Sequence, residues 1–230
     1  MTDPIEELKP FLRTDDRMLL RVILGLAILY ALISVFVLTV ANTDFDQGIT
    51  LFLQRAQSPG LDALMEFVSW WASVPGACIV ILGMSLIFAL RKRYVEVAFM
   101  FAPLLSIPVI SLIKRVVGRS RPTAELVRVA RDFHNESFPS GHVVFYAVLF
   151  GFVTYLMYRH WTIPNWLRVP IAGLSVFLIV TVPFSRMYLG AHWFTDVTAG
   201  LALGCMLLIG LVMWYNRVIR GKRNSGRAAV

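Results

Sequence analysis

The chain is poor in the residues that build most redox and metal sites: its 230 residues include two cysteines, four histidines and fourteen carboxylates. Cys78 and Cys205 both lie inside apolar runs, where a small buried side chain needs no further reason. A disulfide framework or a thiolate metal site would require more partners. The pair therefore carries neither a function nor a redox signal. Glu125, Asp132 and Glu136, downstream of Pro122, are not spaced with the histidines as a metal cluster. No metal is expected, and nothing implies a cofactor. Internal repeats, low-complexity tracts and linkers are also missing, so residues 1–230 are expected to form a single domain. The apolar runs lack period-two alternation, which excludes a closed barrel as the way across a membrane.

What the chain has in excess is apolar side chains. Hydrophobic residues make up 57% of it, above the roughly 45–50% of soluble domains, and several runs of about twenty residues are long enough to cross a hydrocarbon core as helices. The sequence predicts an all-α fold, a polytopic membrane helical bundle with six transmembrane helices at approximately residues 18–41, 66–90, 94–114, 141–158, 166–184 and 193–216. The first run is longer than the core of a signal peptide and lacks a small-residue cleavage site after it, so it is expected to be retained. Between the first two spans, Ile49, Phe52, Leu53 and Ala56 fall at helical spacing before Pro59 and Gly60. This stripe is expected either as a short interfacial helix or as a loop packed on the bundle.

Lysines and arginines divide unevenly between the two sides. Fourteen of the 22 fall on the side of the N-terminal segment, the turn 91–93, Arg159, Arg168 and the C-terminal tail, which predicts both termini in the cytoplasm. The other eight are Arg55, Arg186 and six residues of the third loop: Lys114, Arg115, Arg119, Arg121, Arg128 and Arg131. Topology alone disfavours such a concentration on the outer side, so that loop must bind something negative.

Three stretches carry the candidate chemistry: Lys114–Pro122 (KRVVGRSRP), Pro139–His142 (PSGH) and Ser185–Asp196 (SRMYLGAHWFTD). Two crossings separate the third loop from the fifth, so all three open on one membrane face whatever the orientation. Lys114, Arg121 and Arg186 together neutralise a phosphoryl group. Ser140 and Gly141 enter the fourth helix, where free backbone N–H groups add to an anion site and Gly141 lets the backbone come close. His192 and Asp196, four apart, are expected on one helical face, with the carboxylate orienting the ring so that its other nitrogen attacks phosphorus. His142 remains to protonate the departing oxygen and later to activate water. His134 and His160 lack such partners and are read as loop or interfacial residues.

At these residues the chain resembles the type 2 phosphatidic acid phosphatase superfamily of integral membrane lipid phosphatases. The family pattern is Lys, six residues, Arg-Pro; then Pro-Ser-Gly-His; then Ser-Arg, five residues, His, three residues, Asp. It is matched here by Lys114 with Arg121 and Pro122, by Pro139 to His142, and by Ser185, Arg186, His192 and Asp196. The resemblance implies catalysis by His192, His142 and Asp196 and phosphate binding by Lys114, Arg121, Ser140, Gly141 and Arg186. It also implies metal-independent dephosphorylation through a phosphohistidine, at the outer face of a bacterial cytoplasmic membrane. The soluble relatives with the same site, vanadium haloperoxidases and acid phosphatases, fit less well, because this chain is not soluble.

The expected partners are a membrane lipid phosphate and the bilayer, with no nucleic acid; the oligomeric state is not readable. Short loops favour undecaprenyl diphosphate as substrate over phosphatidylglycerophosphate or phosphatidic acid. A lipid phosphotransferase and a lipid-phosphate binding or translocating protein are the alternatives from other classes. Arg115, Arg119, Arg128 and Arg131 are expected to hold either a second phosphate or anionic headgroups.

Overall fold

The computed structural model describes residues 16–40, 44–131 and 133–228, with side chains described as far as residue 222. Among them no strand occurs. Helix α1 spans Asp16–Thr39, α2 Asp44–Gln54, α3 Pro59–Trp70 and α4 Val74–Leu90. Helix α5 spans Tyr94–Phe99 and runs through a 3-10 turn at Ala102–Leu105 into α6, Ser106–Val117. Helix α7 spans Gly141–Arg159, α8 Asn165–Tyr188 and α9 Phe194–Ala228. Lys9 and Arg13, counted for the orientation, lie outside the described residues.

Five helical segments are long and apolar enough to cross a membrane, and α3 with α4 makes a sixth when taken as one broken span. The chain is a multi-pass membrane protein. The second span, expected as a continuous run over 66–90, is instead bent by 57° between α3 and α4. Ser73 caps α4, its side chain accepting from Gly76 N, and proline occupies the first turn, where a missing N–H costs nothing. A Cβ on Gly76 would lie 2.8 Å from Trp70 O, so the bend requires glycine there.

Helix α7 is the centre of the bundle: twelve of its nineteen residues are buried, and it packs against α8 and α9. Helix α1 buries only Val37 and leans on α9, leaving the rest of its apolar surface to lipid. At the end of the bundle away from the three motifs, Glu96 lies 3.1 Å from His160 Nε2 and accepts from Tyr215 at 2.8 Å. His160, read from the sequence as a loop or interfacial residue, is thus part of a helix-to-helix tie.

Helix α2 is both of the expected alternatives at once, a helix and a segment packed against α8 and α9. Its buried face reads Asp46, Thr50 and Gln54, spaced four apart, while Phe45, Leu51 and Phe52 are exposed. A helix that buries polar groups needs polar partners inside. Those partners belong to the site.

Candidate active site

The ends of α6, α7, α8 and α9 meet at one end of the bundle, and the segment between α6 and α7 is stitched over them. Gln54 donates to Arg128 O at 2.7 Å and to Tyr188 O at 2.9 Å, and Ala130 N donates to Leu189 O at 3.1 Å. Gly190 sits beneath this seam with φ +67, and a Cβ there would lie 2.2 Å from Arg128 O. Only glycine fits both the left-handed backbone and the contact. Ser137 N donates to Arg119 O at 2.8 Å, which fastens the loop ahead of Pro139 to the loop after α6.

His192 precedes α9 rather than lying within it, so the expected shared helical face is replaced by a contact across the helix N-terminus. Asp196 stands in the first turn of α9, and its Oδ2 accepts from Trp193 N at 2.9 Å and from Ser137 Oγ. His192 Nδ1 lies 3.6 Å from that carboxylate oxygen and 3.3 Å from Ser137 Oγ. On the ring's other edge, Nε2 is 3.3 Å from Arg121 Nη1. Nδ1 therefore faces the carboxylate and Nε2 faces the cations. Burial, then Arg121, Arg186 and Lys114, hold the imidazole well below its ordinary value near 6.5, so the ring is neutral with a lone pair directed at Arg121.

The three cations are positioned without being neutralised. Lys114 and Arg186 belong to the last turns of α6 and α8 rather than to the loops beyond them. Lys114 Nζ donates to Glu136 O, and Arg121 donates to Asn135 O at 2.9 Å and Ala191 O at 2.6 Å. Arg186 is buried and donates to Ser69 Oγ, and its Nε has no hydrogen-bond partner among the described residues. Carbonyls and hydroxyls fix these groups in place, and no ion pair to any of the three is found among the described residues. Positive charge of this kind, buried at Arg186 and half-buried at Lys114 and Arg121, is costly until an anion arrives.

The Ser140–Gly141 segment departs from expectation. Ser140 N is not free: it donates to Asp196 O at 3.1 Å, tying the second motif to the third. Ser140 Oγ is buried with no hydrogen-bond partner among the described residues, and Gly141 and His142, at the first positions of α7, have N–H groups with no intrahelical acceptor. Among the described residues a Cβ on Gly141 would meet only Ile110, at an ordinary 3.5 Å, so no neighbour among them requires glycine there.

Gly141 and His142 line a cavity of about 780 Å³ together with Lys114, Arg115, Arg121, Asn135 and Glu136. From this polar end it runs between α4 and the Tyr94–Val117 segment, lined by Ile81, Leu82, Phe101, Leu104, Ile107 and Ile110. Leu82, Phe101, Leu104 and Ile107 are exposed on the flank, so the cavity opens sideways towards lipid.

The roles of three residues escaped the sequence reading. Arg119 is buried, donating to Asp196 Oδ1 at 2.6 Å and to Asp46 Oδ2 at 2.8 Å. It holds neither a second phosphate nor a headgroup. Asp46 also accepts from Thr195 N at 2.9 Å, which binds α2 to the start of α9. Ser137 is the third. Arg128 is likewise committed, making a two-pronged pair with Asp62 at 3.0 and 2.8 Å.

The sequence profile of the PAP2 superfamily matches residues 94–220, more than half of the chain and all three motifs. The chain belongs to the PAP2 superfamily. An undecaprenyl-diphosphatase from Sulfolobus acidocaldarius is 28% identical over 188 residues, 78% of this chain and 84% of that protein. A phosphatidylglycerophosphatase B from Bacillus subtilis is 31% identical over 115 residues, 50% of this chain and 54% of that one. The chain thus covers about half the length of the second relative. In fold, the crystal structure of a PAP2-type phosphatidylglycerolphosphate phosphatase from Bacillus subtilis aligns with a TM-score of 0.72 at 22% identity, over 85% of this chain and 96% of that one. LpxE of Aquifex aeolicus aligns with a TM-score of 0.59 at 19% identity, over 76% and 98%. These two likenesses are of the fold alone.

Proposed function

We propose that the protein is a metal-independent membrane lipid phosphatase that converts undecaprenyl diphosphate to undecaprenyl phosphate and inorganic phosphate. The observation that carries this reading is the pairing of an unneutralised cation cluster, Lys114, Arg121 and Arg186, with the Nε2 edge of a neutral His192; two of these cations, Lys114 and Arg121, also line the polar end of a cavity open to lipid. In the proposed reaction Nε2 bonds to the terminal phosphorus as the bridging P–O bond breaks, and His142 gives its proton to the departing oxygen. Water then attacks the phosphohistidine, His142 takes the water's proton, and the P–N bond breaks to release phosphate. Asp196 orients the ring and balances the charge it gains. The cations supply the charge stabilisation that a metal would otherwise provide. The bias of lysine and arginine along the chain supports cytoplasmic termini and a site on the outer face.

The test is a panel of undecaprenyl diphosphate, phosphatidylglycerophosphate and phosphatidic acid, assayed for phosphate release in detergent with chelator and with His192→Ala as blank. Undecaprenyl diphosphate is expected to give the highest kcat/KM. Dependence on a divalent metal would defeat the mechanism, and preference for a glycerophospholipid would move the substrate to that class. Transfer of labelled phosphate to another lipid instead of water would make the protein a phosphotransferase.

The pH profile follows from the direction of the His192 shift. A depressed value keeps the ring neutral, hence nucleophilic, below 6.5. The acid limb of kcat/KM due to this ring is therefore expected well below 6.5, once the substrate's own ionisation has been titrated separately. At about pH 5.5 the rate should stay above the roughly one-tenth of its neutral value that an unperturbed histidine would leave. A limb at or above 6.5 would contradict a neutral nucleophile.

A further inference from the structure

Of the four arginines available for a second phosphate, two are spoken for: Arg119 by Asp46 and Asp196, and Arg128 by Asp62. Arg115 and Arg131 remain. Arg131 is exposed, has no carboxylate partner among the described residues, and lies 5.4 Å from the centre of the Phe133 ring. Arg121 and Arg186 approach the same ring at 5.6 and 5.0 Å. An aromatic ring attracts guanidinium groups without supplying an anion. Phe133 therefore gathers three cations and leaves their charge available, where a carboxylate would compete with the substrate.

We propose that Arg131 holds the second phosphate of a diphosphate substrate and so makes the site prefer a lipid diphosphate to a lipid monophosphate, an inference that rests on the phosphatase reading above. In that reaction the terminal phosphorus bonds to His192 Nε2, the bond to the bridging oxygen breaks, and its electron pair leaves on the lipid monophosphate. Negative charge thus grows on the second phosphate, beside the bridging oxygen that His142 serves. Arg131 shares the Phe133 ring with Arg121 and Arg186, which sets its guanidinium beside two of the cations that hold the transferred phosphoryl group. A lipid monophosphate presents no second anion, and its departing alcohol oxygen depends on the proton from His142 alone.

The experiment compares kcat/KM for farnesyl diphosphate and farnesyl monophosphate in detergent for the full chain, Arg131→Gln, Arg131→Lys and Arg115→Gln. Arg131→Gln is expected to lose about 10- to 100-fold on the diphosphate, as for loss of a charge-assisted contact, and to stay within about twofold on the monophosphate. Arg131→Lys should recover part of the loss. Equal losses on both substrates, no loss on either, or a selective loss in Arg115→Gln in place of Arg131→Gln would overturn the inference. A full chain that cleaves the monophosphate and leaves the diphosphate intact would overturn it together with the diphosphate substrate, while the phosphatase chemistry would stand.

Discussion

Replacing His192 with alanine is expected to lower phosphate release by about 100,000-fold or more while leaving the phosphate site able to bind. The size of the loss discriminates between roles. Losing an assisting acid or base costs about 10²- to 10⁴-fold, whereas losing a nucleophile removes the covalent route altogether and has cost on the order of 10⁶-fold elsewhere. The binding groups should survive the change, because Lys114 and Arg186 are fixed by Glu136 O and Ser69 Oγ, and Arg121 by two backbone carbonyls. Only Arg121 touches the ring, at 3.3 Å, and its two carbonyl acceptors hold it as well. Titration of the variant with inorganic phosphate is therefore expected to give a Kd within a few-fold of the unsubstituted chain, and its elution and thermal midpoint in detergent should show that it folds. A variant that keeps about 1% of turnover would mean that another group attacks phosphorus. Failure to bind phosphate in a folded variant would mean that the cation cluster is organised by His192. Either result would break the division between holding and attacking, and equal function without the ring would favour a binding or translocating protein.

Much of this was legible because a membrane makes charge conspicuous. Lys114, Arg121, Arg186, His192 and Asp196 sit where apolar runs end, so their spacing could be read against a nearly silent background, and span parity put them on one face before any coordinates. The break in the second span was obscured by the same logic: the apolar run is continuous across it, although Ser58-Pro59 and Ser73-Val74-Pro75 are helix-start signals on each side of the bend. Arg119 and Asp46 were hidden for a different reason. They are 73 residues apart, and a pair at that separation has no periodicity to betray it. The available cue was Asp46, Thr50 and Gln54 at four-residue spacing. That polar stripe is the buried face, while attention to the apolar stripe selected Phe52, which is exposed. The usual amphipathic rule inverts here because the outside is lipid and the inside is a polar site.

The second large effect is expected from Arg119→Met, which removes the cation between two buried carboxylates. The side chains of Asp46 and Asp196 are 1% and 0% exposed, so water cannot take the place of the guanidinium. Stranding one partner of a buried ion pair costs on the order of 3–5 kcal/mol, a drop of roughly 10 °C in thermal midpoint for a chain of this size. Turnover should fall by more than stability explains. Asp196 would keep Ser137 and Trp193 N on Oδ2 but lose the contact that fixes Oδ1, and with it the orientation of His192. Adding Asp46→Asn to the variant removes one of the stranded charges and is expected to restore most of the thermal midpoint without restoring kcat. That split separates the two jobs of Arg119. Recovery of both together would make it a structural tie alone, and an unchanged midpoint in Arg119→Met would show that the buried carboxylates are satisfied by something other than this side chain.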